Sequence, residues 1–317
     1  MINKKNKIQT TKTECRSSFW ASAIRMQNQI ESGIGRSFVI EIYGKPILVE
    51  TNTTLTELHR DIVNAILIHN YKSEYTRNGH FRALFSLKSI HKALNYRIST
   101  EKIVEKLKEI KISNFFLSDP NDKKKFTSVH FINKLTISAV KNTDDRLKNL
   151  ARADYYYFIE LDKSYFEFQD YDLKILITNN IVDKIIKVKE ASVKKLIYYC
   201  LSQNQLNKDL VEILSETSVI NQEEMTKQRR SILIKEIISQ KDYLLAEFKI
   251  EIKEMENSKY GVFYKKNDNV LFENSKQKIP EKLEYINREG QALSDSPSLS
   301  RDTLEESLER SLGLVEF

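Results

Sequence analysis

Twice along this chain a short amphipathic helix, a tight turn, a longer helix and a strand-rich hairpin follow one another, and that recurrence limits the possible folds more than any other feature. In the first copy Ser86 caps a helix with Leu87, Ile90 and Leu94 on one face, and Asn95-Tyr-Arg97 supplies the turn. Ser99 then caps a second helix that turns Ile103, Val104, Leu107 and Ile110 inward. Ile112–Leu117 and Phe126–Ile132 read as strands around the polar loop Ser118–Lys125. In the second copy Ser192–Leu201 is helical with Val193, Leu196, Ile197 and Cys200 on one side, and Leu206–Leu214 reads as a short helix. A longer helix runs from Asn221 or Gln222 to about Ser239, followed by a strand over Glu247–Met255, a turn at Asn257–Gly261 and a strand over Val262–Lys265. Helix, turn, helix, hairpin is the order of a winged helix.

The expected fold is therefore α+β, with two tandem winged-helix domains and flexible N- and C-terminal tails. The boundaries fall at 1–35 (basic polar tail), 36–142 (domain 1), 143–274 (domain 2) and 275–317 (acidic, Ser-rich tail). Polar composition predicts disorder over the first dozen residues, then a short amphipathic piece around Trp20, Ile24 and Ile30. Phe38–Tyr43 and Ile47–Glu50 read as strands around Gly44-Lys-Pro46. Thr54-Leu-Thr-Glu57 fits a capping box ahead of a helix with Leu55, Leu58, Ile62 and Ile66 on one face, ending near Asn70. Lys72–His80 reads as a polar loop, Tyr155–Leu161 as a strand and Tyr165–Thr178 as helix. In the tail, Leu304, Leu308 and Leu312 form a four-residue stripe, too short to hold as an isolated helix in water.

Composition narrows the function classes. The sequence has 317 residues with 51 basic and 44 acidic side chains, a net charge of +7. Residues 281–317 carry nine acidic and four basic groups, a net of −5, so the first 280 residues carry +12. Such a body favours a polyanion as partner, and nucleic acid is the commonest; a lysine-rich surface kept for solubility is the plainer alternative. No run of about 18 uncharged apolar residues offers a membrane span, and the N-terminal lysines are not followed by the apolar segment of a signal peptide. Cys15 and Cys200 have no metal or redox spacing. A cytoplasmic protein is expected.

Enzyme chemistry finds little support. The five histidines are scattered, with no HExxH and no metal-ligand spacing, and no Walker A, GxGxxG or GxSxG motif occurs. Asp144-Asp145, or Asp154 ahead of Tyr155, Tyr156 and Tyr157, would suit nicking chemistry. The histidine cluster such chemistry needs is missing nearby, and a half-buried aromatic strand explains the tyrosines. No enzyme activity, cofactor or metal is expected.

The two longer helices differ. The helix over Ser99–Ile110 exposes Lys102, Lys106 and Lys108 beside Glu101, Glu105 and Glu109, a mixed face that DNA phosphates repel as much as attract. The second buries Leu233, Ile234, Ile237 and Ile238 and turns outward Gln228, Arg229, Ser231, Lys235 and Ser239, with Thr226, Lys227 and Arg230 in its protruding start. Arg pairs bidentately with guanine and Gln with adenine, while Thr, Ser and Lys hold phosphates, so this face has the residue types of major-groove reading. A solvated basic face with pairs such as Arg229 to Glu224 is the competing account. Lys123, Lys124 and Lys125, at the tip of the first hairpin, suit backbone phosphates without sequence reading.

The stretch Lys227–Phe248 resembles the second winged-helix domain of iteron-binding plasmid replication initiators, in which an Arg-rich start leads into a Leu–Lys–Glu–Ile helix. Ser192–Cys200 and Leu206–Leu214 are similar to the helices preceding it, and the likeness in element order covers roughly residues 50–272. The resemblance implies a plasmid-borne protein that binds repeated origin sites in double-stranded DNA, helps open the duplex and recruits host replication proteins. It also implies a second domain that reads sequence while the first supplies homodimer contacts and weaker DNA binding. Lys227, Gln228, Arg229, Arg230 and Lys235 would then face DNA and Lys123–Lys125 the backbone. Some such initiators touch the host sliding clamp through a short Gln/Leu/Phe peptide, which Gln291-Ala-Leu or Leu312–Phe317 approximates; a net-negative tail can instead cover the basic face of its own chain. A two-module transcriptional regulator and a protein-interaction scaffold are the alternatives.

Overall fold

The computed structural model describes residues 7–16, 20–21, 35–42, 45–139, 155–170, 172–219, 225–256 and 259–273, without the side chains of 122–125, 137–139 and 155–156. The chain opens with β1 (Lys7–Thr11) and α1 (Lys12–Arg16), then β2 (Arg36–Ile42), β3 (Lys45–Thr51), α2 (Glu57–His69), β4 (Lys72–Tyr75) and β5 (Phe81–Phe85). Next come α3 (Leu87–Ala93), α4 (Thr100–Ile112), β6 (Asn114–Asp119), β7 (Asp122–His130) and β8 (Ile132–Ala139). Then follow β9 (Tyr155–Leu161), α5 (Lys163–Asp170), β10 (Lys174–Thr178), α6 (Asn179–Lys187), α7 (Ala191–Leu201), β11 (Gln205–Asp209) and α8 (Leu210–Glu216). The last are α9 (Lys227–Ser239), α10 (Lys241–Phe248), β12 (Ile250–Glu254), β13 (Tyr260–Lys265) and β14 (Val270–Glu273). The fold is mixed helix and sheet. Among the described residues four antiparallel sheets have strand orders β2-β3-β6-β7, β4-β5-β9-β8, β1-β10-β14 and β11-β13-β12.

Helix α2 is the hub, packed against β1, β5, α3, α4, α6 and α7. Leu55, Ile62 and Ile66 are buried as their spacing requires, but so are Glu57, His59, Arg60, Asp61 and Asn64. A helix buried on nearly every side needs internal partners for its polar groups, and α7 brings them. Lys194 pairs with Asp61, which Arg97 also holds at 2.8 Å, and Lys195 lies 3.1 Å from Glu57. Asn64 donates to the Tyr198 hydroxyl at 3.0 Å, and the Arg60 guanidinium lies 3.4 Å from the centre of the Tyr198 ring. Lys194 and Lys195 are part of the interior, where helical periodicity had placed only Val193, Leu196, Ile197 and Cys200.

The capping residue of α2 is Thr56, two positions later than the S/T-x-x-E pattern indicates. The Thr56 N–H donates to His59 Nδ1 at 2.9 Å, so a histidine stands where the pattern expects glutamate. With Nδ1 accepting, Nε2 carries the proton that His59 gives to Glu109 at 2.9 Å, and burial favours that neutral ring. Burial works to raise the Glu109 carboxyl, but hydrogen bonds from His59 and from Lys106 (2.6 Å) outweigh it and hold it at about 2. Lys106, expected on the exposed face of α4, is buried through this contact.

Several expectations change because isolated segments gain partners from afar. Lys7–Thr11, inside the expected disordered tail, is β1, paired residue for residue with β10. The buried Glu14 carboxylate in α1 accepts from Tyr165 Oη at 2.9 Å and Gln169 Nε2 at 3.0 Å, and Trp20 is buried against Phe131. Ile24 and Ile30 lie outside the described residues. Lys72–His80 is not a loop but holds β4 and the turn into β5. Tyr165–Thr178 splits into a helix and strand β10, followed by α6, a helix the sequence reading omits, with Ile181, Val182, Ile185 and Ile186 buried. Leu206 belongs to β11, opposite Tyr264, and the helix begins only after Asp209, whose carboxylate caps it. Lys241–Phe248 is helical where a strand was expected from Glu247; it ends at Lys249 in the left-handed region at φ 61°.

The expected 142/143 boundary lies in 140–154, outside the described residues. On its far side β9 pairs with β5 and β8, so one sheet is built from both modules. Among the described residues no helix is long and apolar enough to cross a membrane. Cys15 and Cys200 are unpaired and buried, and burial pushes both thiols up.

Two predictions follow from these buried contacts. Asp61→Ala strands Lys194 and Arg97, and is expected to cost about 3–5 kcal/mol in urea unfolding. Glu109, depressed from 4.5 to about 2, contributes stability above pH 4.5 that is lost as pH falls through 2. The stability difference between the natural chain and Glu109→Gln should therefore shrink over that window and stay constant above it.

Candidate nucleic-acid interface

Helix α9 follows Thr226, whose hydroxyl accepts from the Arg229 N–H at 3.3 Å. The cap fixes where the cationic start of the helix begins, five residues later than Asn221 suggests; residues 220–224, including Glu224, lie outside the described residues. No acidic side chain occupies the first turn, so the positive end of the helix dipole adds to Lys227, Arg229 and Arg230. Thr226, Lys227, Gln228, Arg229, Ser231 and Lys235 are exposed on one continuous helix, and Arg230 is half-buried.

The helix is held lightly. Only Leu233 and Ile237 are buried; Ile234 and Ile238, expected in the same arc, are half-buried, and Ile232 is 61% exposed. Below them α9 rests on α7, where the Ser192 hydroxyl donates to Glu236 at 3.1 Å, and α10 packs behind it after the break at Gln240. Helix α10 is fixed by buried Leu244 and Phe248 and by the Lys184–Glu247 pair at 2.5 Å. The result is a shelf that leaves one side of α9 uncovered.

That uncovered side faces the β12–β13 hairpin across a groove of about 490 Å³. Lys227, Arg230 and Lys235 from α9 and Lys259 from the hairpin line it, and among the described residues none of the four has an ion-pair partner. The Arg230 Nε is buried without a hydrogen-bond partner. Ile234, Ile238, Leu210, Val211 and Tyr260 form an apolar floor. The carboxylate in the lining, Asp209, is engaged by the Val211 and Glu212 N–H groups. The groove was not legible in the sequence, because Lys259 and Tyr260 reach it through the pairing of β13 between β11 and β12.

The other expected site residues sit elsewhere. Lys123, Lys124 and Lys125 belong to strand β7, directly after the Pro120-Asn121 turn, rather than to a loop; their side chains are outside the described residues. Helix α4 exposes Glu101, Lys102, Glu105 and Lys108, with Lys102 and Glu105 paired at 2.7 Å, so its surface is self-neutralised. Tyr157 is buried in β9 and stacks on Phe85 at 5.7 Å. Among the described residues no group of three or more His, Cys, Asp or Glu side chains is placed to hold a metal ion.

No protein-family model matches the chain, and no curated protein matches it. Among solved structures, a selenomethionine crystal structure of domains 2 and 3 of RctB aligns at a TM-score of 0.48 and 15% identity, covering 73% of this chain and 90% of that one. A second crystal structure of RctB domains 2–3 aligns at 0.46 and 14%, covering 74% and 92%.

Removing the cap tests how α9 is set. Thr226→Ala should cost about 1 kcal/mol of stability, read from chemical denaturation. Ile232→Gln, at an exposed position, should leave the unfolding midpoint within about 0.5 kcal/mol of the parent.

Proposed function

We propose that this protein binds double-stranded DNA sequence-specifically through α9 and acts as a replication initiator at repeated origin sites. The observation that carries the reading is the exposed cationic start of α9, where Lys227, Gln228, Arg229 and Ser231 are followed by Lys235, with Lys227, Ser231 and Lys235 lining the adjacent groove. Supporting it, α7, β11, α8, α9, β12 and β13 follow in the order of a winged helix, with α10 inserted between α9 and β12 and with β13 between β11 and β12. The shelf formed by α7 and α10 would present α9 to a major groove, with Gln228, Arg229 and Arg230 reaching base edges. Lys227, Lys235 and the Thr226 and Ser231 hydroxyls would hold flanking phosphates.

In this reading the first module reads little sequence, in keeping with the self-paired surface of α4, and contributes backbone contacts through Lys123–Lys125 and homodimer contacts. The plasmid setting, the opening of the origin and the recruitment of host replication proteins rest on the resemblance of Lys227–Phe248 to iteron-binding initiators. The protein would work by binding and duplex distortion, without catalysis, cofactor or metal.

Selection from random duplex pools, followed by titration of the selected site, tests the assignment. Replacing Arg229 and Arg230 together by alanine should weaken the selected site by about 1–3 kcal/mol per specific contact and relax base preference. Equal losses on selected and scrambled duplexes would defeat it. Neutralising Lys123–Lys125 should weaken all duplexes alike and flatten the dependence of affinity on salt.

A further inference from the structure

The groove beside α9 has two chemistries at once, and a nucleic-acid backbone uses only one of them. Lys227, Arg230, Lys235 and Lys259 suit phosphates, but Ile234, Ile238, Leu210 and Val211 form an apolar surface that phosphates leave unfilled. An occupant matched to both would carry an apolar stripe flanked by carboxylates. Helical segments that lie in grooves bind through such stripes, with anchors three or four residues apart.

The chain contains one such segment beyond its described residues. Leu304, Leu308 and Leu312 recur at four-residue spacing among Asp302, Glu305, Glu306 and Glu309, and with Glu316 against Arg301 and Arg310 residues 301–317 carry a net charge of −3. At 1.5 Å per residue the three leucines would span about 12 Å as a helix. The described residues end at Glu273 of β14, and residues 274–300 provide 27 residues of connection. A random coil of that length would have a root-mean-square reach of about 30 Å, roughly the width of a small domain. Tethering of this kind gives a local concentration on the order of millimolar, so even a weak contact is filled.

We infer that the groove between α9 and the β12–β13 hairpin is the docking site of the chain's own C-terminal segment, residues 301–317. Its leucines cover Ile234 and Ile238, and its carboxylates pair with the four groove cations. Docking itself is independent of what α9 binds; its consequence, that the segment masks the reading face until DNA displaces it, rests on the function proposed above.

The test uses full-length chains and a fluorescein-labelled peptide of residues 301–317, with no DNA in the first arm. A full-length variant with Leu304→Ser, Leu308→Ser and Leu312→Ser leaves the groove open and should bind the peptide at least about tenfold more tightly than the natural chain, whose own tail competes. Adding Lys235→Glu and Lys259→Glu, both at exposed positions, should abolish that binding while leaving the thermal melt unchanged. Absence of peptide binding, equal binding by the natural and triple-serine chains, or equal binding of a peptide whose leucines are serine would each overturn the assignment. A concentration-dependent dimer that the triple-serine variant loses would overturn docking within one chain in favour of exchange between copies. In the second arm selected duplex is added: displacement of the peptide supports masking. A duplex that binds neither chain counts against the DNA reading of α9 and leaves the docking result of the first arm standing.

Discussion

Glu57 and Asp61 sit one turn apart on a helix with almost no access to water, and the cations that neutralise them come from distant parts of the chain. Moving a carboxylate out of water costs several kcal/mol unless a partner is already in place. Helix α2 can therefore stay buried only if α7 is seated against it with Lys194 and Lys195 inward and Arg97 arrives from the turn before α4. The two halves of the chain thereby share one charged interior. Trp20, Tyr165 and the Glu14 cluster extend the same condition to the N-terminal segment, and β9 repeats it in a sheet.

The consequence for α9 is mechanical. Helix α7 has one face in this charged interior and carries α8 and α9 on the other. A force applied to α9 passes through Ser192–Glu236 and the Leu233 and Ile237 contacts into a helix that cannot shift without separating buried charges. Meanwhile α10, tied to α6 by Lys184 and Glu247, blocks movement from behind.

The sequence made much of this readable where burial follows periodicity. Ile103, Leu107 and Ile110 declared the inner face of α4, Ser86 and Ser99 capped the helices assigned to them, and Gln228, Arg229, Ser231 and Lys235 are exposed as helical spacing indicated, although α9 is capped at Thr226 and does not start at Asn221. What escaped was set by partners remote in sequence. Nothing local marks Lys194 and Lys195 as interior; their signal is the acid pair on a helix about 130 residues earlier. The polar strand β1 looks like a tail until β10 supplies its hydrogen bonds. The start of β11 was misread because Leu206 lies four residues before Leu210, in helical step with Ile213 and Leu214 of the helix that follows. The groove was invisible because its far wall is a hairpin whose place is fixed by sheet pairing.

The break at Gln240 divides one long helical run into a part that holds the fold and a part that projects from it. Only two side chains of the projecting part are interior, so most substitutions along it leave folding untouched. Exposed positions such as Gln228 and Ser231 can therefore diverge between descendants of one scaffold while the architecture persists.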